Sequence, residues 1–340
     1  MGFKVETGLY AARLEDAGAN ARHAEEMGYD SINTAETAHD SFLPLVLAAE
    51  HTDRLGIGTS VAIAFPRSPM VTAMMAWDLQ RYSKGRFTLG LGTQVKGHNQ
   101  RRFSVPWTPP APRIREYVES LKAIWQSFQT GEKLDYVGKH YSFTLMTPNF
   151  NPGPIDYPRP RVHIAAVNEH NARVAGEVCD GIKLHGFNTM KYTQDVILPQ
   201  IMKGLGKSGR PRSEFEICGG GFLATGKDWS AVEKATGEVR RQISFYGSTR
   251  TYQNVFDHHG WGDTTARLHE MSLQGKWAEM PNVIPDEMLN EFAVVAPYDK
   301  VADEVRSRYN GICDRVGFGD GARTPEDQEA VRHIIKQLQA

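Results

Sequence analysis

Two short turns in this chain gather side chains able to exchange protons or hold an anion. The first is Ala35-Glu36-Thr37-Ala38-His39-Asp40-Ser41-Phe42, where two carboxylates, an imidazole and hydroxyls fall close together. Such a cluster suits general acid-base work, so His39 and Glu36 are the candidate proton-transfer residues. Asp40 or Ser41 would also cap a helix beginning at Phe42. The second is Val167-Asn168-Glu169, which opens a helical pattern directly after an apolar run. Free N–H groups and the helix dipole at such a terminus suit a phosphate, and Asn168 is also an ordinary cap. His185-Gly186 lies at the end of the next apolar run, placed either to complete that pocket or to pack as a buried histidine.

Two glycine-bearing segments would bring backbone close to a flat ligand. Leu55-Gly-Ile-Gly-Thr-Ser-Val-Ala-Ile-Ala-Phe-Pro is long for one strand, and its small residues permit a bulge around Thr59, Ser60 and Val61. Gly90-Leu91-Gly92-Thr93-Gln94 ends another strand, followed by His98, Arg101 and Arg102. No Gly-x-Gly-x-x-Gly turn, Walker lysine loop, His-Glu-x-x-His or Gly-x-Ser-x-Gly elbow occurs. His258-His259 has no spaced ligand partners, so no metal is expected.

The elements that must position these residues alternate. Short runs rich in β-branched residues, at Phe3–Leu9, Tyr29–Ala35, Leu55–Ala64, Arg86–Gly92, Val162–Val167, Gly181–His185, Glu214–Leu223 and Asp314–Phe318, are separated by segments of helical period. Eight such strands favour a closed (β/α)8 barrel, an α/β TIM barrel, as a single domain over residues 1–340, and they put the chemistry at the strands' C-terminal ends. Two stretches break the pattern. A polar segment after strand four, reaching Pro160 and holding a hairpin near Val137–Lys139, reads as one insertion. The aromatic and His-rich Tyr246–Glu291 after strand seven reads as another, without clear period. Ala296–Asn310 and Glu326–Leu338 read as the last helices.

Charge and cysteine usage exclude several partners. With 39 Lys+Arg against 40 Asp+Glu there is no global field for nucleic acid or an anionic membrane, which leaves a small-molecule substrate. Cys179, Cys218 and Cys313 are unpaired in spacing, as expected for reduced thiols in the cytoplasm. No export signal or apolar run of spanning length is present.

Three segments together resemble the luciferase-like monooxygenase superfamily, and within it the coenzyme F420-dependent oxidoreductases: Leu55-Gly-Ile-Gly-Thr-Ser-Val, Ser83-Lys-Gly-Arg-Phe-Thr-Leu-Gly-Leu-Gly-Thr and Ala172-Arg-Val-Ala-Gly-Glu-Val-Cys-Asp-Gly. The resemblance covers nearly the whole chain. It implies a cofactor at the barrel mouth, its ring against a bulge with a cis peptide at Ser60-Val61 and Thr59 beside it, and Gly92, Thr93 and His98 near ring or ribityl chain. Val167, Asn168, Glu169, His185 and Gly186 would hold the phosphate. Relatives often place an acidic residue followed by histidine where Glu36-Thr37 stands, so here the imidazole is displaced to His39.

The expected activity is hydride transfer between F420 and a carbonyl, alcohol or activated alkene. The alternatives are an FMN-dependent two-component monooxygenase and a non-catalytic flavin-binding barrel. The basic set Lys96, Arg101, Arg102, Arg113 and Arg115 is expected to favour F420 over FMN by meeting its oligoglutamate tail. Trp107, Phe256 and Trp261 suggest a partly apolar substrate or plain packing, and exposed aromatics a homo-oligomer.

Overall fold

The computed structural model describes residues 2–9, 13–319 and 324–340. Eight parallel strands close on themselves: β1 Lys4–Gly8, β2 Ser31–Thr34, β3 Gly56–Thr59, β4 Phe87–Gly92, β5 Arg161–Ala166, β6 Gly181–Leu184, β7 Glu216–Gly219 and β8 Arg315–Gly317. Their order follows the chain, and the ring shuts where β1 pairs with β8, Val5 opposite Val316. The expected TIM barrel with insertions after strands four and seven is therefore the fold. Apolar residues such as Ile32, Ile57, Leu89 and Ile182 are buried because both faces of each strand are covered.

Several motif residues tie the barrel together rather than touch a ligand. Arg86 donates to the carbonyls of Leu55, Ala49 and Thr52, fastening the end of helix Leu43–Glu50 to β3. Asp180 accepts a fork from Arg159 at 2.7 and 2.8 Å and the Val162 amide at 2.8 Å. Burial alone would raise this carboxyl, but Arg159 holds it down at about 2. The three cysteines are free and buried.

Three expectations needed correction. The strand expected over Glu214–Leu223 stops at Gly219, because Gly220, with φ 144°, turns the chain out of the barrel. The continuation Phe222–Gly226 pairs instead with Ala293–Pro297 in a separate two-stranded parallel sheet, so Ala296, expected to begin a helix, lies in a strand. Finally, Tyr246–Glu291 is largely helical, with Gln253–His258, Gly262–Leu273 and Asp286–Phe292. Its apolar residues sit at irregular spacing because they fill an aromatic cluster in which Phe187 packs on Phe256 and Phe292, at ring distances of 5.3 and 4.6 Å.

Candidate active site

Two cavities open at the C-terminal ends of the strands and share Ala35, Thr37, Ser60, Lys183 and Leu184. The first, of 660 Å³, lies over β1, β2, β7 and β8 and reaches His39. The second, of 610 Å³, lies over the β3 bulge and the ends of β4, β5 and β6.

The bulge follows Thr59, where the Ser60–Val61 peptide is cis, and the chain resumes as a short strand, Ala62–Ile63, beside β4. Ser60 and Val61 line the second cavity. Thr59 does not: it is fully buried, its hydroxyl donating to the Gly90 carbonyl at 2.6 Å and accepting the Gly90 amide at 2.9 Å. Its role is to lock β3 to β4. Gly92 also faces the cavity, and a Cβ there would meet Val61 Cγ2 at 2.5 Å, so glycine is what allows the bulge to lie against β4.

Glu36 braces this bulge. Its amide donates to the Val61 carbonyl, and its carboxylate accepts the Ile63 amide at 2.7 Å and Arg67 Nη1 at 2.7 Å. Arg67 Nη2 reaches Asp40 at 2.8 Å, so one guanidinium spans both acids of the turn. Asp40 also accepts from the amides of Phe42 and Leu43. Burial would raise its carboxyl, but these donors and Arg67 hold it below the ordinary value. The sequence cluster thus divides: Glu36 and Asp40 are committed to structure, whereas His39 stays exposed at the mouth of the first cavity.

At the far end of the second cavity the helix Glu169–Val178 presents its N-terminus. Asn168 caps it by accepting the Asn171 amide at 3.1 Å, while Asn171 Oδ1 is buried with no partner in the protein. Val167, Asn168 and Asn171 line the cavity. Glu169 does not, and its half-exposed carboxylate faces His170. His98 is likewise displaced, exposed on the helix Lys96–Arg101 outside both cavities, because that helix turns its buried face inward through Asn99.

His185 and Gly186 do line the second cavity, beside three residues the sequence reading passed over: Phe222, Tyr246 and Tyr252. The Phe187 amide donates to His185 Nδ1 at 2.9 Å, and His185 Nε2 lies 3.3 Å from the Tyr252 hydroxyl. Burial lowers this imidazole to about 4, so it is neutral. With Nδ1 occupied as an acceptor, its one proton sits on Nε2 and is donated to Tyr252. Burial pushes the phenol up to about 12, which keeps its own O–H as a donor.

Other candidates serve packing or pairing. Phe256 is fully buried and Trp261 stacks on His259 at 4.3 Å; neither these two nor Trp107 lines either of the two cavities at the strand ends. His258 contacts Asp195 at 2.9 Å and His259 the Thr189 hydroxyl at 2.7 Å. Of the basic set, Arg113 is stacked on Phe65 and bonded to Tyr141, Arg115 pairs with Glu177, and Arg102 donates to the Thr37 carbonyl. Lys96 and Arg101 stay exposed at the rim.

The sequence profile of the luciferase-like monooxygenases matches residues 2–315. An uncharacterized protein of Mycobacterium tuberculosis is 49% identical over 305 residues, 90% of this chain and 89% of its own length. A putative coenzyme F420-dependent oxidoreductase of the same organism is 26% identical over 306 residues, covering 83% of this chain and 84% of its own. Among solved structures, the coenzyme F420-dependent tetrahydromethanopterin reductase of Methanopyrus kandleri superposes with a TM-score of 0.78 over 99% of this chain and 97% of its own, at 17% identity. Profile, relatives and barrel agree, and the chain belongs to the luciferase-like monooxygenase family.

Proposed function

We propose that this protein is an F420-dependent oxidoreductase acting on a small organic carbonyl, alcohol or activated alkene. The observation that carries the reading is the second cavity. A cis-peptide bulge lies at one end and the N-terminus of helix Glu169–Val178, capped by Asn168, at the other, as a ring, ribityl chain and phosphate would require. Ser60, Val61 and Gly92 would hold the ring, Thr93 the ribityl chain, and Asn168, Asn171, Gly186 and Tyr252 the phosphate. The bound deazaflavin supplies hydride transfer at C5. The protein keeps the bulge rigid through Glu36 and Arg67, presents the Tyr252 O–H as a fixed donor, and offers His39 to exchange the proton at the substrate oxygen.

The choice of F420 over FMN follows the named F420-dependent oxidoreductase among the relatives and the exposed Lys96 and Arg101 at the rim. With the other three arginines already paired, the cation contribution is smaller than their number suggests, since exposed pairs are worth about 0.2–1 kcal/mol each. Fluorescence titration of the purified protein should show tighter binding of F420 than of FMN, with the gap narrowing modestly as salt rises. Equal or tighter FMN binding with oxygen-dependent turnover would move the assignment to a monooxygenase, the activity in the family's own name.

A second copy of the chain is the proposed partner. Leu43, Val46, Val71, Met74 and Tyr82 are exposed on the neighbouring helices Leu43–Glu50 and Pro69–Tyr82, around a groove that also carries Asp78 and Arg81. Opposite charges on one apolar face pair reciprocally across a two-fold axis. Sedimentation should therefore show a dimer that Val46→Glu dissociates. A monomeric wild type would refute it.

A further inference from the structure

Beneath the first cavity the barrel interior is charged rather than apolar. Lys183 on β6 lines both cavities yet is only 6% exposed, and its ammonium faces Glu6 on β1 at 3.2 and 3.3 Å. Glu6 also accepts from Asn33 at 3.0 Å and has Arg315 at 3.7 Å. Deeper in, Glu216 is surrounded by Arg315 at 3.3 Å, Arg161 at 3.6 Å, Lys4 at 3.7 Å and His163 at 3.6 Å. Burial and the neighbouring cations lower His163 to about 3, so it adds no charge.

The network therefore holds four cations, Lys4, Arg161, Lys183 and Arg315, against two carboxylates, Glu6 and Glu216. Its surplus is positive; Lys183 lines both cavities, and Glu6 lines the first beside it. An ammonium has three hydrogens, and one carboxylate at these distances leaves at least one without a protein acceptor. The same surplus argues against a metal ion at His163, Glu216 and Cys218, whose ligand atoms lie within 4.8 Å of one another, because Lys183, Arg161 and Arg315 already occupy their surroundings.

From this geometry we infer that the first cavity is the substrate chamber and that it selects a small organic carboxylate, whose anionic head docks on Lys183 Nζ. The inference rests on the F420 reading only in leaving the second cavity to the cofactor. Leu9, Leu184, Leu223 and Phe318 line the chamber and give an aliphatic or cyclic body an apolar wall. Glu6 is a positioning residue that holds the ammonium upright and moderates its pull. The substrate would carry its reducible or oxidisable carbon a short distance from the carboxylate, within reach of the cofactor side of the chamber at Ser60.

The test uses cyclohexanecarboxylate and its uncharged counterpart cyclohexanecarboxamide as probes, titrated calorimetrically at low salt into the protein without cofactor and again with F420 present. The carboxylate should bind roughly tenfold or more tightly than the amide, as a charge-assisted contact in a sheltered site would give. The preference should persist when F420 fills the second cavity. Glu6→Gln should tighten carboxylate binding, because Lys183 loses its counter-charge, and Lys183→Gln combined with Glu6→Gln should abolish the preference while circular dichroism stays native. Should the double variant fail to fold, the direction of the Glu6→Gln effect decides, since a purely structural lysine predicts no tightening. Equal binding of both probes, or a preference unchanged by these substitutions, overturns the inference. Failure of F420 to bind, with the carboxylate preference intact, would instead sink only the cofactor reading.

Discussion

Replacing Arg67 by methionine keeps an unbranched apolar stem and removes the one cation that spans Glu36 and Asp40. Glu36 is only 8% exposed in its side chain, Arg67 18% and Asp40 35%, so the cluster is sheltered at one end and wet at the other. Breaking a fully buried pair costs about 3–5 kcal/mol, whereas an exposed one is worth about 1 kcal/mol or less. The geometry lies between these limits, which places the expected loss at about 2 kcal/mol. Lysine at the same position supplies a point charge that reaches one carboxylate but not both, so Arg67→Lys should recover only part of the loss. Urea unfolding followed by circular dichroism reads the stability, and F420 titration reads the bulge, whose Ile63 amide is tied to the same carboxylate. Arg67→Met should lower both. An unchanged unfolding midpoint, or full rescue by lysine, would show that the fork does not hold the turn.

Tyr252→Phe removes one neutral donor from the phosphate end. A hydrogen bond to a charged group is worth about 1.5–3 kcal/mol, so F420 affinity should fall about 10- to 100-fold with stability nearly unchanged; unaltered affinity would place the phosphate elsewhere. His39→Ala should slow turnover on an active alcohol or carbonyl by about 100-fold or more while leaving cofactor affinity alone. Glu36→Gln should reduce both, and intact turnover in His39→Ala would identify a different proton carrier. The pH dependence follows from two buried imidazoles, held neutral at about 3 for His163 and about 4 for His185. Unfolded histidines bind protons below about pH 6.5 and these folded ones do not, so stability is lost as pH falls from there toward about 4, by up to about 1.4 kcal/mol per unit for each. Urea midpoints at about pH 7, 6 and 5 should drop steeply in the wild type and less steeply in His163→Gln; parallel slopes would contradict the assignment.

The barrel was legible because its strands are short runs of Val, Ile and Leu buried on both faces, a pattern that local sequence carries by itself. The start of helix Pro69–Tyr82 is written locally, since Ser68 caps it and proline suits its first turn. Strand seven was overextended because Gly219-Gly220-Gly221 reads as permissive strand until Gly220 turns the chain. The site was legible only where its residues were local. The Glu36–Asp40 turn stood out by composition, but its binding partner Arg67 lies 27 residues beyond Asp40, and nothing local reports that the acids are committed. Lys183 was missed between Ile182 and Leu184, although a lysine in mid-strand is itself a sign of an inward-facing charge. Tyr246 and Tyr252 belong to segments whose apolar spacing follows a three-dimensional cluster rather than any helix or strand period.

A crystal structure of the protein with F420 bound tests the central claim most directly. The account predicts the ring against the Ser60–Val61 peptide and Gly92, with the phosphate within hydrogen-bond reach of Asn168, Asn171 and the Tyr252 hydroxyl, and the first cavity left open above Lys183. A ring lying in the first cavity, or a phosphate seated on Lys183, would contradict it.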